Sequence, residues 1–152
     1  MMQIIPEQSR KLADATSRLL ADSYALYLKT HNFHWNVVGP HFGALHILFE
    51  TQYTELALAV DEIAERIRAL GHPAPGSYTE FSRFATVKDA QGVPAAEDML
   101  RELAADNETV VATSRKLFTT AESAGDQATA DLAVRRIQIS EKNAWMLRSH
   151  LQ

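Results

Sequence analysis

Apolar residues recur along this chain at spacings of three and four, and no strict alternation of apolar and polar positions persists beyond a few residues. That is the pattern of amphipathic helices, and it predicts an all-α fold. The first helix is expected from about Glu7 to about Val37, with Leu12, Leu19, Tyr24, Tyr27 and Leu28 at its apolar positions. Gly39-Pro40 stops it, because proline cannot continue a helix and biases its predecessor away from the helical region. The second helix starts near His41 or Phe42 and ends at Gly71, just before His72-Pro73. A connection of about twenty residues follows, too long to lie structureless inside one compact domain. Its Ser77-x-x-Glu80 spacing fits a capping box and predicts a short helix of its own. Pro94, at an N1-like position with Glu97 and Asp98 in the first turn, opens a third long helix striped by Leu100, Leu103, Val110, Val111, Leu117 and Phe118. Gly125 closes it, and Asp126 caps a fourth, which carries Ala130, Val134, Ile137, Ala144 and Trp145. The result is one domain, residues 1–152, built as a four-helix bundle with its long crossover between the second and third long helices.

The second helix has three faces. With His46 set at zero and 100° per residue, Leu45, Phe49, Tyr53, Leu56, Val60, Ile63, Ile67 and Leu70 fall between about 240° and 340° and form the core stripe. Glu55, Glu62 and Arg66 cluster near about 180°, where a solvated face is expected. His46, Glu50, Asp61 and Glu65 occupy a third sector between about 0° and 100°, with Thr54 and Ala57 between them. His46/Glu50 and Asp61/Glu65 are i, i+4 pairs, each able to aim two side chains at one point. Their midpoints are separated by about 22 Å of helix, so a single ion cannot touch both pairs on one copy. An antiparallel second copy, related by a two-fold axis near Glu55-Leu56, would bring His46 and Glu50 of one chain opposite Asp61 and Glu65 of the other.

Composition narrows the chemistry. The chain has no cysteine, so any metal is held by nitrogen and oxygen ligands. Four of its six histidines lie between His31 and His46. His31 and His34 are one turn apart, and the Gly39-Pro40 turn returns their end of the first helix toward the start of the second, where His34 can join the second-helix groups. Such a mixed imidazole and carboxylate set suits Fe(II), Mn(II) or Zn(II). Trp35 is read first as a packing residue, with a redox-active neighbour of the site as the alternative; His41, His72 and His150 have no assigned role. The formal net charge of −4 argues against a globally basic nucleic-acid surface. The N-terminal Met1–Glu7 stretch has no basic leader, and no segment approaches 18 uninterrupted apolar residues, so a soluble cytoplasmic protein is expected.

The run H-W-N-x-x-G from His34, the histidine at 46, and D-E-x-A-E-R-I-x-x-L-G from Asp61 resemble the signature of the Dps family, the mini-ferritins of the ferritin-like superfamily. The helix layout, the long crossover and the E-K-N-A-W-M-L-R-S tail extend the similarity over nearly the whole chain. The resemblance implies twelve bundles in a hollow dodecameric shell, with a ferroxidase centre at each two-fold interface. It assigns His34 and His46 as histidine ligands from one subunit, Asp61 and Glu65 as carboxylate ligands from its partner, and Trp35 as the tryptophan beside the site. Glu50 stands where an acidic residue, often Asp, is usual; His31 is not among the ligands and is left as a neighbour of the site or a packing residue. The implied activity is that of a ferroxidase: binding of Fe(II), oxidation preferably by hydrogen peroxide or else by dioxygen, storage as ferric oxide, and protection of DNA from oxidative damage. Asp126 and Asp131 match the carboxylates that line the iron-entry pores, although a helix cap explains Asp126 equally well.

Three rivals stand beside this reading. A di-iron enzyme with its site inside one bundle would need E-x-x-H motifs on the core face, and the chain has none there. A nucleoid-binding protein whose main activity is DNA compaction would draw on a Lys-rich tail, whereas the N-terminal stretch offers only Arg10 and Lys11. A structural Zn(II) clasp at the same residues would hold a dimer without turnover.

Overall fold

The computed structural model describes residues 4–152, leaving Met1–Gln3 of the N-terminal stretch outside the described residues. Helix α1 spans Pro6–Asn36, α2 Phe42–Ala69, the short α3 Tyr78–Phe84, α4 Ala96–Ala124 and α5 Gln127–Ser149, and the described residues contain no strand. Helix α1 packs along both α2 and α4, and α4 packs along α5. The ring closes between α2 and α5 at a looser seam bridged by side chains.

The helix ends follow their local chemistry. Gly71 lies just beyond α2 at φ +93°, and Gly125 caps α4 at φ +71°, left-handed conformations that strain any residue with a Cβ. Ser77 accepts the Glu80 N–H, while the Glu80 carboxylate accepts from the Ser77 hydroxyl and the Gly76 N–H, which starts α3. Asp126 accepts the Thr129 N–H at the start of α5. The expectation for Pro94 needs correcting: the N-cap of α4 is Ala95, so proline precedes the helix and sets its entry.

The core contains Leu12, Leu19, Leu20, Leu26 and Phe33 of α1, Leu45, Phe49, Leu56, Ile63 and Ile67 of α2, Met99, Leu103, Val110 and Leu117 of α4, and Leu132, Ala133 and Leu147 of α5. Leu28, Val134 and Trp145, expected inside, are exposed. Buried polar residues mask the true stripe. Asp22, Lys29 and Thr30 occupy interior positions of α1, and Arg136, Ser140 and Asn143 those of α5.

Two of these polar residues anchor the crossover. Asp22, fully buried, accepts from the Thr86 and Val87 N–H groups at 2.5 and 2.9 Å and from the Thr86 and Thr113 hydroxyls, both at 2.7 Å. Lys29 pairs with Asp106 of α4 at 2.9 Å and donates to the Lys88 carbonyl at 3.1 Å. The end of the connection is thereby tied to α1 and α4, leaving the outer face of α2 clear.

Candidate metal centre

The Gly39-Pro40 turn folds the end of α1 against the start of α2, and the two backbones exchange side chains there. His34 Nδ1 donates to the His46 carbonyl, and His46 Nδ1 donates to the His34 carbonyl, both at 2.7 Å. A carbonyl only accepts, so Nδ1 carries the proton on each ring and the lone pair sits on Nε2, the nitrogen left for a metal. The rings stack with centroids 3.8 Å apart and planes 15° apart. His34 is buried and His46 half-buried, so the two rings are held in fixed orientations, each through its Nδ1, at the surface of the bundle. Glu50, one turn beyond His46, is exposed beside them.

The second half-site lies farther along α2. Asp61 and Glu65 are both exposed, and a hydrogen bond and like charge from Asp61, with slight desolvation, hold the Glu65 carboxyl above its ordinary range. Two carboxyl groups that close together favour a cation between them over a second negative charge. Among the described residues, no three His, Asp or Glu side chains of one chain gather into a metal cluster. The candidate ligands come in two groups, His34, His46 and Glu50 in one and Asp61 and Glu65 in the other, separated by about 22 Å of helix.

Around the histidines lies an aromatic cluster that the helical wheel did not anticipate. His31 is held between Trp35 and Tyr53, with centroids 3.9 and 4.0 Å away, and Tyr53 meets His34 edge-on at 5.1 Å. Burial and the neighbouring His34 lower the affinity of His31 for a proton. Tyr53 was placed in the core stripe, but its position at about 340°, at the stripe edge nearest His46, was the available signal of this role. Trp35 is 59% exposed in the protomer, so it does not pack the bundle core.

The other two faces of α2 are also defined. The sector near 180° is exposed as expected at Glu62 but half-buried at Glu55 and Arg66, and it forms the seam with α5, where Glu55 pairs with buried Arg136 at 2.5 Å, Glu62 with Arg135 at 2.6 Å and Arg66 with Asp126 at 3.0 Å. The ligand sector carries exposed Ile47 and Leu58, at 61% and 72%. Large apolar side chains lie there among metal-ligand types with no cover from their own chain.

Of the two pore candidates, Asp126 is fully buried. It caps α5 through the Thr129 N–H and hydroxyl and pairs with Arg66, so its oxygens are spent inside the protomer and it is a structural cap, not a pore group. Asp131 is 70% exposed at its side chain and bonds Arg135 at 3.2 Å.

Comparison with known proteins agrees with this architecture. The family model for the Ferritin-like domain matches residues 13–152. The DNA protection during starvation protein 2 of Bacillus anthracis is 36% identical over 143 residues, covering 94% of this chain and 98% of that protein. The crystal structure of a Dps protein from Bacillus brevis superposes with a TM-score of 0.93 at 33% identity, over 100% of both chains. That of the Dps protein from Vibrio cholerae O1, described as one of the ferritin-like diiron-carboxylate proteins, superposes at 0.91 with 33% identity, over 96% of this chain and 92% of that one. With its bundle, its crossover and nearly its full length matched, the chain belongs to the Dps family of ferritin-like proteins.

Proposed function

We propose that this protein is a ferroxidase and iron store whose centres are shared between subunits. Two copies pair antiparallel through the exposed sector of α2, so that His34, His46 and Glu50 of one copy face Asp61 and Glu65 of the other, twice per dimer. The observation that carries this reading is the division of the candidate ligands: an imidazole pair where the end of α1 meets the start of α2, each ring held through its Nδ1, and an exposed carboxylate pair about 22 Å farther along α2, beside uncovered Ile47 and Leu58. Neither pair completes a shell alone.

Fe(II) is the substrate. Nitrogen and carboxylate oxygen form a donor set suited to it, and also to Zn(II) or Mn(II), which would compete for the same place. The Nε2 atoms of His34 and His46 bind it from one side; the Asp61 and Glu65 carboxylates bind it from the other and offset the charge gained on oxidation to Fe(III). Hydrogen peroxide is the preferred oxidant, with dioxygen as the slower alternative. Trp35, stacked on His31 beside the candidate centre, is poised to exchange electrons with the site. Ferric oxide then accumulates in the cavity of a dodecameric shell, away from DNA, and removing iron and peroxide together limits hydroxyl-radical damage. Asp131, exposed near the start of α5, is the remaining candidate for guiding iron inward.

The double variant Asp61→Ala, Glu65→Ala separates this from a structural metal clasp. The ferroxidase reading expects loss of Fe(II) oxidation with particle mass unchanged in light scattering. Dissociation of the particle, with no oxidation to lose in the parent protein, would favour the clasp.

A further inference from the structure

The rings around His31 continue beyond the candidate centre. From Tyr53, which touches His34 at 5.1 Å, the next ring is Tyr27 at 6.1 Å, then Tyr24 at 5.7 Å, which stacks on Phe81 of α3 at 4.8 Å. His31 spans the first of these steps, 4.0 Å from Tyr53 and 5.7 Å from Tyr27. Tyr24 and Phe81 line a groove of about 670 Å³ between α1 and the crossover, together with Lys29, Tyr78 and Lys88. Packing alone does not ask for phenols here, since phenylalanine fills nearly the same volume. Tyr24, Tyr27 and Tyr53 are each half-buried, and none of their hydroxyls is a buried group left without a partner. Phenylalanine resists one-electron oxidation and tyrosine does not, and Tyr78 in the same groove makes no ring contact with Tyr24 or Phe81, so the run of touching oxidisable rings stops at Tyr24.

We propose that Tyr53, Tyr27 and Tyr24 form a one-electron path from the His34 end of the candidate centre to the groove beneath α3, where Tyr24 ends as the oxidised residue. The path rests on the ferroxidase reading and matters when a centre holds a single Fe(II). Hydrogen peroxide needs two electrons and two protons to become two waters. One electron comes from Fe(II), which becomes Fe(III). The second comes from Tyr24 by way of Tyr27 and Tyr53, and leaves a neutral tyrosyl radical at Tyr24. The Tyr24 phenol supplies one of the two protons through water, and solvent supplies the other. Two irons would provide both electrons, so a filled centre leaves Tyr24 reduced.

The test loads the full-length protein with one Fe(II) per chain, adds hydrogen peroxide with a nitroso spin trap, and maps adducts by peptide mass spectrometry. Fe(II) uptake is measured separately by titration. The expected adduct lies on Tyr24; it is lost in Tyr27→Phe, with trapping retained on Tyr53, and it is suppressed when Fe(II) is saturating. Particle mass checks that Tyr27→Phe assembles. Should it not, Tyr24→Phe serves instead, with the adduct expected to retreat to Tyr27. An adduct on Tyr24 that persists without the Tyr27 phenol, or adducts confined to Trp35 or Tyr53 in the parent protein, would overturn the path while leaving the ferroxidase reading intact. A protein that takes up no Fe(II) contradicts that reading and removes the path with it.

Discussion

A carboxylate without solvent survives inside a protein only when its lone pairs are met, and Asp22 meets four donors from the crossover and α4. Asp22→Ala leaves two backbone N–H groups and two hydroxyls without their acceptor, at a cost of about 1–3 kcal/mol for each group that water cannot reach. A loss of at least about 3 kcal/mol in urea unfolding is therefore expected, well above the effect of an exposed substitution. Asp126 contributes differently. Burial alone pushes its carboxyl up, but the Thr129 hydroxyl and N–H and the Arg66 guanidinium outweigh burial and hold it below the ordinary range. A depressed folded value stabilises the protein above the unfolded value, about 3.9, and that stability disappears as pH falls through the folded one. Asp126→Asn should therefore lower the urea midpoint at neutral pH and converge on the parent protein in acid, a convergence that parallel melts at both pH values would detect. Both residues bear on what the sequence disclosed. Asp126 was readable as a cap because capping is local, whereas Asp22 was not singled out because its four partners lie 64 to 91 residues away.

At the scale of elements, α2 decides the architecture, and its sectors were unequally legible. The core stripe followed from periodicity, with Leu45, Phe49, Leu56, Ile63 and Ile67 all buried. In the sector of Glu55, Glu62 and Arg66 only Glu62 is exposed, because the partners Arg136, Arg135 and Asp126 come from α5 and its cap, which periodicity along α2 does not reveal. The ligand sector was legible from the pairing of residue types, but periodicity on one chain carries no information about a second chain. The exposure of Ile47 and Leu58 supports the proposed pairing of two copies through this sector. With the two-fold axis near residues 55 and 56, Leu58 approaches the partner copy while avoiding every proposed ligand. Leu58→Glu should therefore yield a smaller particle by light scattering and abolish Fe(II) oxidation, although all five proposed ligands remain. Full oxidation by a monomeric Leu58→Glu protein would show that the site closes within one chain.

For the whole molecule, the consequence is that assembly becomes a condition of activity. In the proposed arrangement iron is held where two copies meet, so a free subunit carries two half-sites and no centre. The sequence already contained this constraint in the separation of His46/Glu50 from Asp61/Glu65 along a single helix, and the folded chain keeps those pairs apart. The most direct measurement mixes two inactive variants, His34→Ala/His46→Ala and Asp61→Ala/Glu65→Ala, dissociates them and reassembles them together. A mixed dimer then has one centre with both halves damaged and one with both halves intact, so random reassembly should restore about a quarter of the parent protein's Fe(II) oxidation per subunit. If reassembled mixtures of matching particle mass recover no activity, the two halves do not meet across subunits and the account of a shared centre is wrong.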